Sequence, residues 1–164
     1  MPQELDDRGC VAALAAALGH DAPFSADELA TVESLTVVHA QDLESLGACT
    51  SLRHLRVIAS EVADFLFCET LAELVHLEVH CSVVGSLVGL AFCGKLERVD
   101  LLFTSAEDSS HLLGSRWRRG TLIGNPWSEL SWDALREVTD GNDVFVELAR
   151  STQQVHMDGN RRAL

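Results

Sequence analysis

Tyrosine is missing altogether from this chain, and lysine nearly so: one Lys stands beside eleven Arg. With three Trp and six Phe as the only aromatics, the interior has to be built from Leu, Val and Ala. Such an aliphatic interior suits regular stacked units better than an irregular core. Basic residues are also scarce, 12 against 25 Asp and Glu, for a formal net charge of −13. That field disfavours nucleic acid and anionic membrane surfaces as partners. No apolar run approaches the ~20 residues needed to span a bilayer. The opening Met1-Pro2-Gln3-Glu4-Leu5-Asp6-Asp7 lacks the basic start of a secretory leader. The five Cys are odd in number, scattered, and never paired as Cys-x-x-Cys, which points to reduced thiols in a cytosol rather than a disulfide framework. A cytoplasmic protein is therefore expected. The preference for Arg over Lys, with abundant Ala, Leu, Val and Gly, hints at a GC-rich, bacterial genome.

What is present is enough for one domain. A chain of 164 residues with 47% hydrophobic content has the material for a core of its own. Domains of this size bury roughly 70% of the surface exposed by the unfolded chain.

The informative feature is internal periodicity. Five segments share the frame apolar-x-x-apolar-x-apolar, with a small or polar residue three places later. They run Val32, Leu35, Val37, Ala40; Leu52, Leu55, Val57, Ser60; Leu74, Leu77, Val79, Ser82; and Leu96, Val99, Leu101, Thr104. A weaker fifth copy runs Trp117, Gly120, Leu122, Asn125. The intervals between starts are 20, 22, 22 and 21 residues. Each copy predicts a short strand whose apolar pair points inward and whose intervening residues point outward. One such coil cannot bury its own apolar edge, so neighbours stack and their strands pair in parallel. The return segments add inward residues at a spacing of three, as in Leu43, Leu46, Cys49 and in Val84, Leu87, Leu90, Cys93. That spacing predicts short helical or 3₁₀ turns, with Cys49 and Cys93 as small buried apolar groups.

This frame resembles the leucine-rich-repeat family, whose pattern is L-x-x-L-x-L-x-x-N/C-x-L, over about Leu29 to Leu135. The resemblance implies an α/β solenoid with a parallel β-sheet on the concave face and short helices or 3₁₀ turns on the convex face. The family's Asn stands only at Asn125. Ser60, Ser82 and Thr104 can supply part of its bonding through hydroxyls; Ala40 cannot, which predicts a looser first coil.

Residues 1–28 read as a helical N-terminal cap, with Asp6 and Asp7 before Val11, Leu14, Ala15 and Leu18 and a stop at Gly19. About five repeats fill 29–135, a C-terminal cap 136–150, and a polar, mobile tail 151–164. At the C-terminal side, Gly124-Asn125-Pro126 predicts a turn, Ser131 caps a short helix bearing Trp132, Leu135 and Val138, and Val144 to Leu148 read as a last strand. Arg116, Arg118 and Arg119 beside Trp117 read as a solvated loop.

In this register the outward residues form columns. One is Ser34, His54, His76, Arg98, Arg119; the next is Thr36, Arg56, Glu78, Asp100, Thr121; the third is Val38, Ile58, His80, Leu102, Ile123. The first is basic or protonatable, the second alternates charges as exposed cross-strand ion pairs, and the third is apolar except at His80. A donor column beside an apolar one suits an interface with an anchor region and polar edges. The expected partner-binding residues are therefore His54, Arg56, Ile58, His76, Glu78, His80, Arg98, Asp100, Leu102 and Arg119.

What the family resemblance implies is the same: a rigid sheet holding a protein or peptide. An acidic peptide fits the donor column, and a second copy of the chain is an alternative partner. No nucleic acid, membrane or cofactor is expected. The sharper alternative is a metal, small-ligand or enzyme site at His54, His76, Glu78 and His80. On a strand, His76 and His80 have Cα atoms ~13 Å apart, too far for a simple shared ion. That leaves His54, His76 and Glu78 as the feasible metal set, and it matches no metal signature. No phosphate-cradling loop or nucleophile elbow is present, and His80 faces away from its neighbour Cys81, so no Cys–His pair forms.

Overall fold

The computed structural model describes residues 6–108, 110–112, 117–126, 143–148, 154–158 and 161–162. The repeated frame makes strands β1 (Ser34–Val38), β2 (His54–Ile58), β4 (His76–His80), β6 (Arg98–Leu102) and β7 (Arg119–Asn125), with burial alternating along the first three. These pair side by side in parallel, in the order β1-β2-β4-β6-β7. Their inward rows, Leu35-Leu55-Leu77-Val99 and Val37-Val57-Val79-Leu101-Leu122, are all buried. Each such side chain contributes roughly 1.5–3 kcal/mol of burial before ordering entropy is set against it.

The return segments carry 3₁₀ turns at Glu44–Ala48, Leu66–Thr70, Leu90–Phe92 and Ser110–Leu112. These turns stack on one another coil by coil. Leu46, Cys68, Leu90 and Leu112 point from them into the core, as do Cys49, Leu71 and Cys93. A second, two-stranded parallel sheet joins β3 (Glu61–Val62) to β5 (Val83–Val84). The period-three pattern concealed it, because two residues are too few to show an alternation.

Every coil turns its corner through one residue in the left-handed region: His39, Ala59, Cys81 and Phe103, with φ between 48° and 58°, and Gly124 at 69°. A left-handed conformation costs a non-glycine residue about 1–2 kcal/mol. Each of the four is held by its N–H donating to the carbonyl of the fifth strand residue of the next coil: His39 to Ile58, Ala59 to His80, Cys81 to Leu102, Phe103 to Ile123.

The residue after each corner explains how the frame manages without a column of Asn. The Ser60 hydroxyl accepts from the N–H of Ala40 at 3.0 Å and donates to the carbonyl of Ile58 at 2.8 Å. Ser82 does the same for Ser60 (3.1 Å) and His80 (2.8 Å). Asn125 accepts from both the N–H and the hydroxyl of Thr104, and its amide donates to Leu101. The expectation of a looser first coil is thus corrected. Ser60, Ser82 and Asn125 each serve the coil before them, so Ala40 needs no side-chain acceptor of its own.

At the N-terminal side, α1 (Arg8–Leu18) begins at Asp7, whose carboxylate accepts from the N–H of Cys10, and ends at Gly19 in the left-handed region. The helix packs on β1 and buries Cys10 and Leu14. Asp7 also accepts from the N–H groups of Gln41 and Asp42 at 2.7 and 3.1 Å, tying the helix start to the first corner. A short α2 (Ala26–Leu29) follows, closed by a reciprocal Ser25–Glu28 capping box.

At the other end, β8 (Asp143–Leu148) continues the parallel sheet beside β7. Strand β9 (Gln154–Asp158) then pairs antiparallel with β8, and β10 (Arg161–Arg162) with β9. The stretch read from its polarity as a tail therefore carries ladder hydrogen bonds at the end of the sheet. The expected helix with Ser131, Trp132, Leu135 and Val138, and the loop residue Arg116, lie outside the described residues.

Candidate functional site

The outward face of the main sheet is built by register alone. Ser34, His54, His76, Arg98 and Arg119 are successive partners, as are Thr36, Arg56, Glu78, Asp100 and Thr121, and Val38, Ile58, His80, Leu102 and Ile123. Because strand side chains alternate, one register fixes all three columns.

The charged residues in the middle of this face form one connected network. Arg56 grips Glu78 across the strand boundary with two bonds, Nε to Oε2 at 2.7 Å and Nη2 to Oε1 at 3.1 Å. Arg98 reaches along its own strand to Asp100, Nε to Oδ2 at 2.7 Å. His76 lies between the two acids, its Nε2 at 2.8 Å from Asp100 Oδ2 and 3.5 Å from Glu78 Oε1. His80 approaches Glu78 from the other side at 3.4 Å, yet its Nε2 is buried and makes no hydrogen bond. His54 stands edge-on to His76 with ring centroids 6.1 Å apart.

Two expectations change here. The ion pairs were read as exposed, but the Asp100 side chain keeps only 5% of its accessible surface. It stands at an outward position of the register and is covered by the side chains that bind it, which leaves little of its own surface exposed. The metal set also changes, because the donor atoms that come together, all within 4.8 Å of one another, belong to His76, Glu78 and Asp100. His54 is displaced from that set by the diagonal reach of Asp100, which spacing along the sequence does not reveal.

The carboxyls respond to these contacts. Hydrogen bonds from Arg56 hold Glu78 below the usual carboxylate range, against the opposing effect of burial. For Asp100 burial is the largest influence and pushes its pKa up. Bonds from Arg98, His76 and Thr121 outweigh it and leave the net shift downward. Both groups are therefore ionised at neutral pH.

Of the other expected contact residues, His54, Arg56, Arg98 and Arg119 are exposed, while Ile58, His76, Glu78, His80 and Leu102 are half-buried. A shallow hollow of about 270 Å³ opens over β1, β2 and β4, lined by Ser34, Thr36, His54, Arg56, His76 and Glu78 among others. Along the far margin Val38 and Phe103 are exposed, at 41% and 62%. Phe103 was not among the expected contact residues. It belongs to the corner that follows the strand, where the alternation rule gives no direction. Among the described residues no helix is long and apolar enough to cross a membrane.

No family model matches the chain, and no curated protein matches it. Solved structures similar to it include an internalin of Listeria monocytogenes (inlF), with 13% identity and a TM-score of 0.46 over 86% of this chain. The chain spans 55% of the length of that protein. A second is internalin C2 (inlC2) of the same organism, with 12% identity and a TM-score of 0.38, covering 87% of this chain and 93% of the other.

Proposed function

We propose that the chain is a leucine-rich-repeat interaction module that holds a protein or peptide across the outward face of its main sheet. One observation carries the reading: a column of nitrogen donors runs parallel to an apolar margin on a sheet whose register leaves no slack. The exposed donors are His54, Arg98 and Arg119 of the first column with Arg56 beside them, and the margin is Val38, Ile58, Leu102 and Ile123, interrupted by His80, with Phe103 at the following corner. Aromatic and aliphatic anchors beside Arg forks are what interfaces enrich.

Arg56 and Arg98 are already committed to acids of their own, so Arg119 and His54 are the groups with most to gain from a partner carboxylate. The chain as a whole is strongly negative, and long-range attraction of an acidic partner is therefore weak. Recognition rests on short-range contacts. Reduced thiols throughout fit a cytosolic setting.

The test is capture of native partners by the untagged chain, identified by cross-linking. Val38→Asp, Ile58→Asp and Arg119→Glu are expected to abolish capture while melting stays within a few degrees of the parent. Arg98→Glu is avoided, because it would set a second acid against Asp100. If all three variants capture the same partner undiminished, this face is not the binding surface.

A further inference from the structure

We propose that His76, Glu78 and Asp100 form a binding site for one divalent transition-metal ion of the Zn²⁺ type, in the middle of the outward face. Two of the donors, His76 and Glu78, stand two residues apart on β4 and so share a face. The third, Asp100, is the register partner of Glu78 on β6 and lies diagonally across from His76. No other strand is needed.

The donor distances suit an ion. Zinc binds nitrogen and carboxylate oxygen at ~2.0–2.2 Å in a tetrahedral arrangement, which sets donor atoms roughly 3.3–3.5 Å apart. His76 Nε2 lies 2.8 Å from Asp100 Oδ2, shorter than that edge, and 3.5 Å from Glu78 Oε1, at its upper end, and all three donor atoms lie within 4.8 Å of one another. The ion would stand where His76 and Asp100 now share a hydrogen, and the remaining position would be filled by water.

A second observation points the same way. His80 has a buried Nε2 with no hydrogen-bond partner, 3.4 Å from the Glu78 oxygen that the ion does not need. An imidazole nitrogen buried without a hydrogen bond is costly, and beside a ligating carboxylate it is placed to orient that carboxylate from outside the coordination shell. Arg56 and Arg98 hold the two acids ionised and in place, as groups around metal ligands do. Their positive charges also oppose the incoming ion. The expected affinity is consequently moderate, and selectivity favours ions that accept nitrogen over Mg²⁺ or Ca²⁺.

The experiment is a titration of the full, untagged, chelator-treated chain with Co²⁺ as a spectroscopic stand-in for Zn²⁺. One equivalent is expected to produce visible d–d absorption that Zn²⁺ bleaches and Mg²⁺ does not. His76→Ala is expected to abolish the absorption, and Glu78→Gln to weaken binding by at least ~10-fold. His54→Ala, which removes the neighbouring imidazole outside the set, leaves binding unchanged. Since neither Glu78→Gln nor His54→Ala touches the core, circular dichroism on each separates loss of binding from loss of fold. Absence of saturable binding in the parent overturns the proposal. So does binding that survives both His76→Ala and Glu78→Gln, or that is lost with His54→Ala.

Discussion

Trp117 fills the space that Gly120 leaves: a Cβ on Gly120 would stand 3.2 Å from the indole Cζ3 and 2.1 Å from the carbonyl oxygen of Val99. Gly120 occupies the inward place held by Leu35, Leu55, Leu77 and Val99 in the other coils, and Trp117 the place held by Val32, Leu52, Leu74 and Leu96. The fifth copy keeps the volume of the frame and redistributes it. Where glycine is merely tolerated in a strand, exchange for alanine stabilises by about 0.4–1 kcal/mol. Here Gly120→Ala is expected to destabilise by roughly 1–3 kcal/mol, as overpacking does. Urea unfolding at equilibrium gives the sign, and a more stable variant would show that the close approach is not real.

The hydroxyl bridge of Ser60 gives a second expectation. Ser60→Ala leaves the buried N–H of Ala40 without its acceptor, at a cost of ~1–3 kcal/mol. Ser60→Thr keeps the hydroxyl and should lose less. Amide exchange at Ala40 is the specific readout, because protection there should fall with Ser60→Ala while that of β6 is little changed.

Asp7 makes stability depend on acid. Burial tends to raise its carboxyl, but the N–H groups of Gln41, Cys10 and Asp42 outweigh it and hold the folded-state value below the ordinary 3.8. A depressed folded value means that the contribution is fully present above the unfolded value and disappears as pH falls through the folded one. Asp7→Ala is expected to lower stability by ~0.5–2 kcal/mol at pH 7. The gap between parent and variant should close below about pH 3.8. Melting curves of both proteins between neutral and strongly acid pH measure it directly.

Thiol chemistry should separate one cysteine from the rest. Cys81 is exposed at its corner, whereas Cys10, Cys49, Cys68 and Cys93 are buried. Burial pushes the Cys10 thiol up to about 12, helped by Asp7, and the Cys49 thiol up to about 11. A chromogenic disulfide reagent is expected to titrate one thiol of the five in the native chain, and all of them after unfolding. Cys81→Ser should remove the fast-reacting group. A second rapid thiol would mean that the coils open.

Much of this architecture was legible because it repeats. Leu55 and Leu77, or Val57 and Val79, recur at one interval, and recurrence fixes both which side faces inward and which strand lies beside which. The three outward columns follow from that register without further information. What escaped the sequence are relations that do not repeat. The cover over Asp100 comes from His76 on one strand, Arg98 on its own and Thr121 on the next, a diagonal arrangement invisible to residue spacing. For the same reason Asp100, not His54, meets His76 and Glu78. The hydroxyl of Ser60 was recognised as a bonding group, but its direction was not, since a serine looks the same whether it serves its own coil or the one before. Polarity hid β9 and β10, because neither carries the apolar-x-x-apolar-x-apolar frame.

The corner N–H groups and the hydroxyl bridges all point one way: each coil is finished by atoms that belong to its successor. These donors of one coil rely on the next, while the N–H groups of Arg53, Glu61, Val75 and Val83 rely in turn on carbonyls of the coil before. As the chain leaves the ribosome, a coil cannot be completed until the next 20 to 22 residues have followed it. A premature stop would do its damage upstream of the cut, stranding donors in a segment whose own sequence is intact.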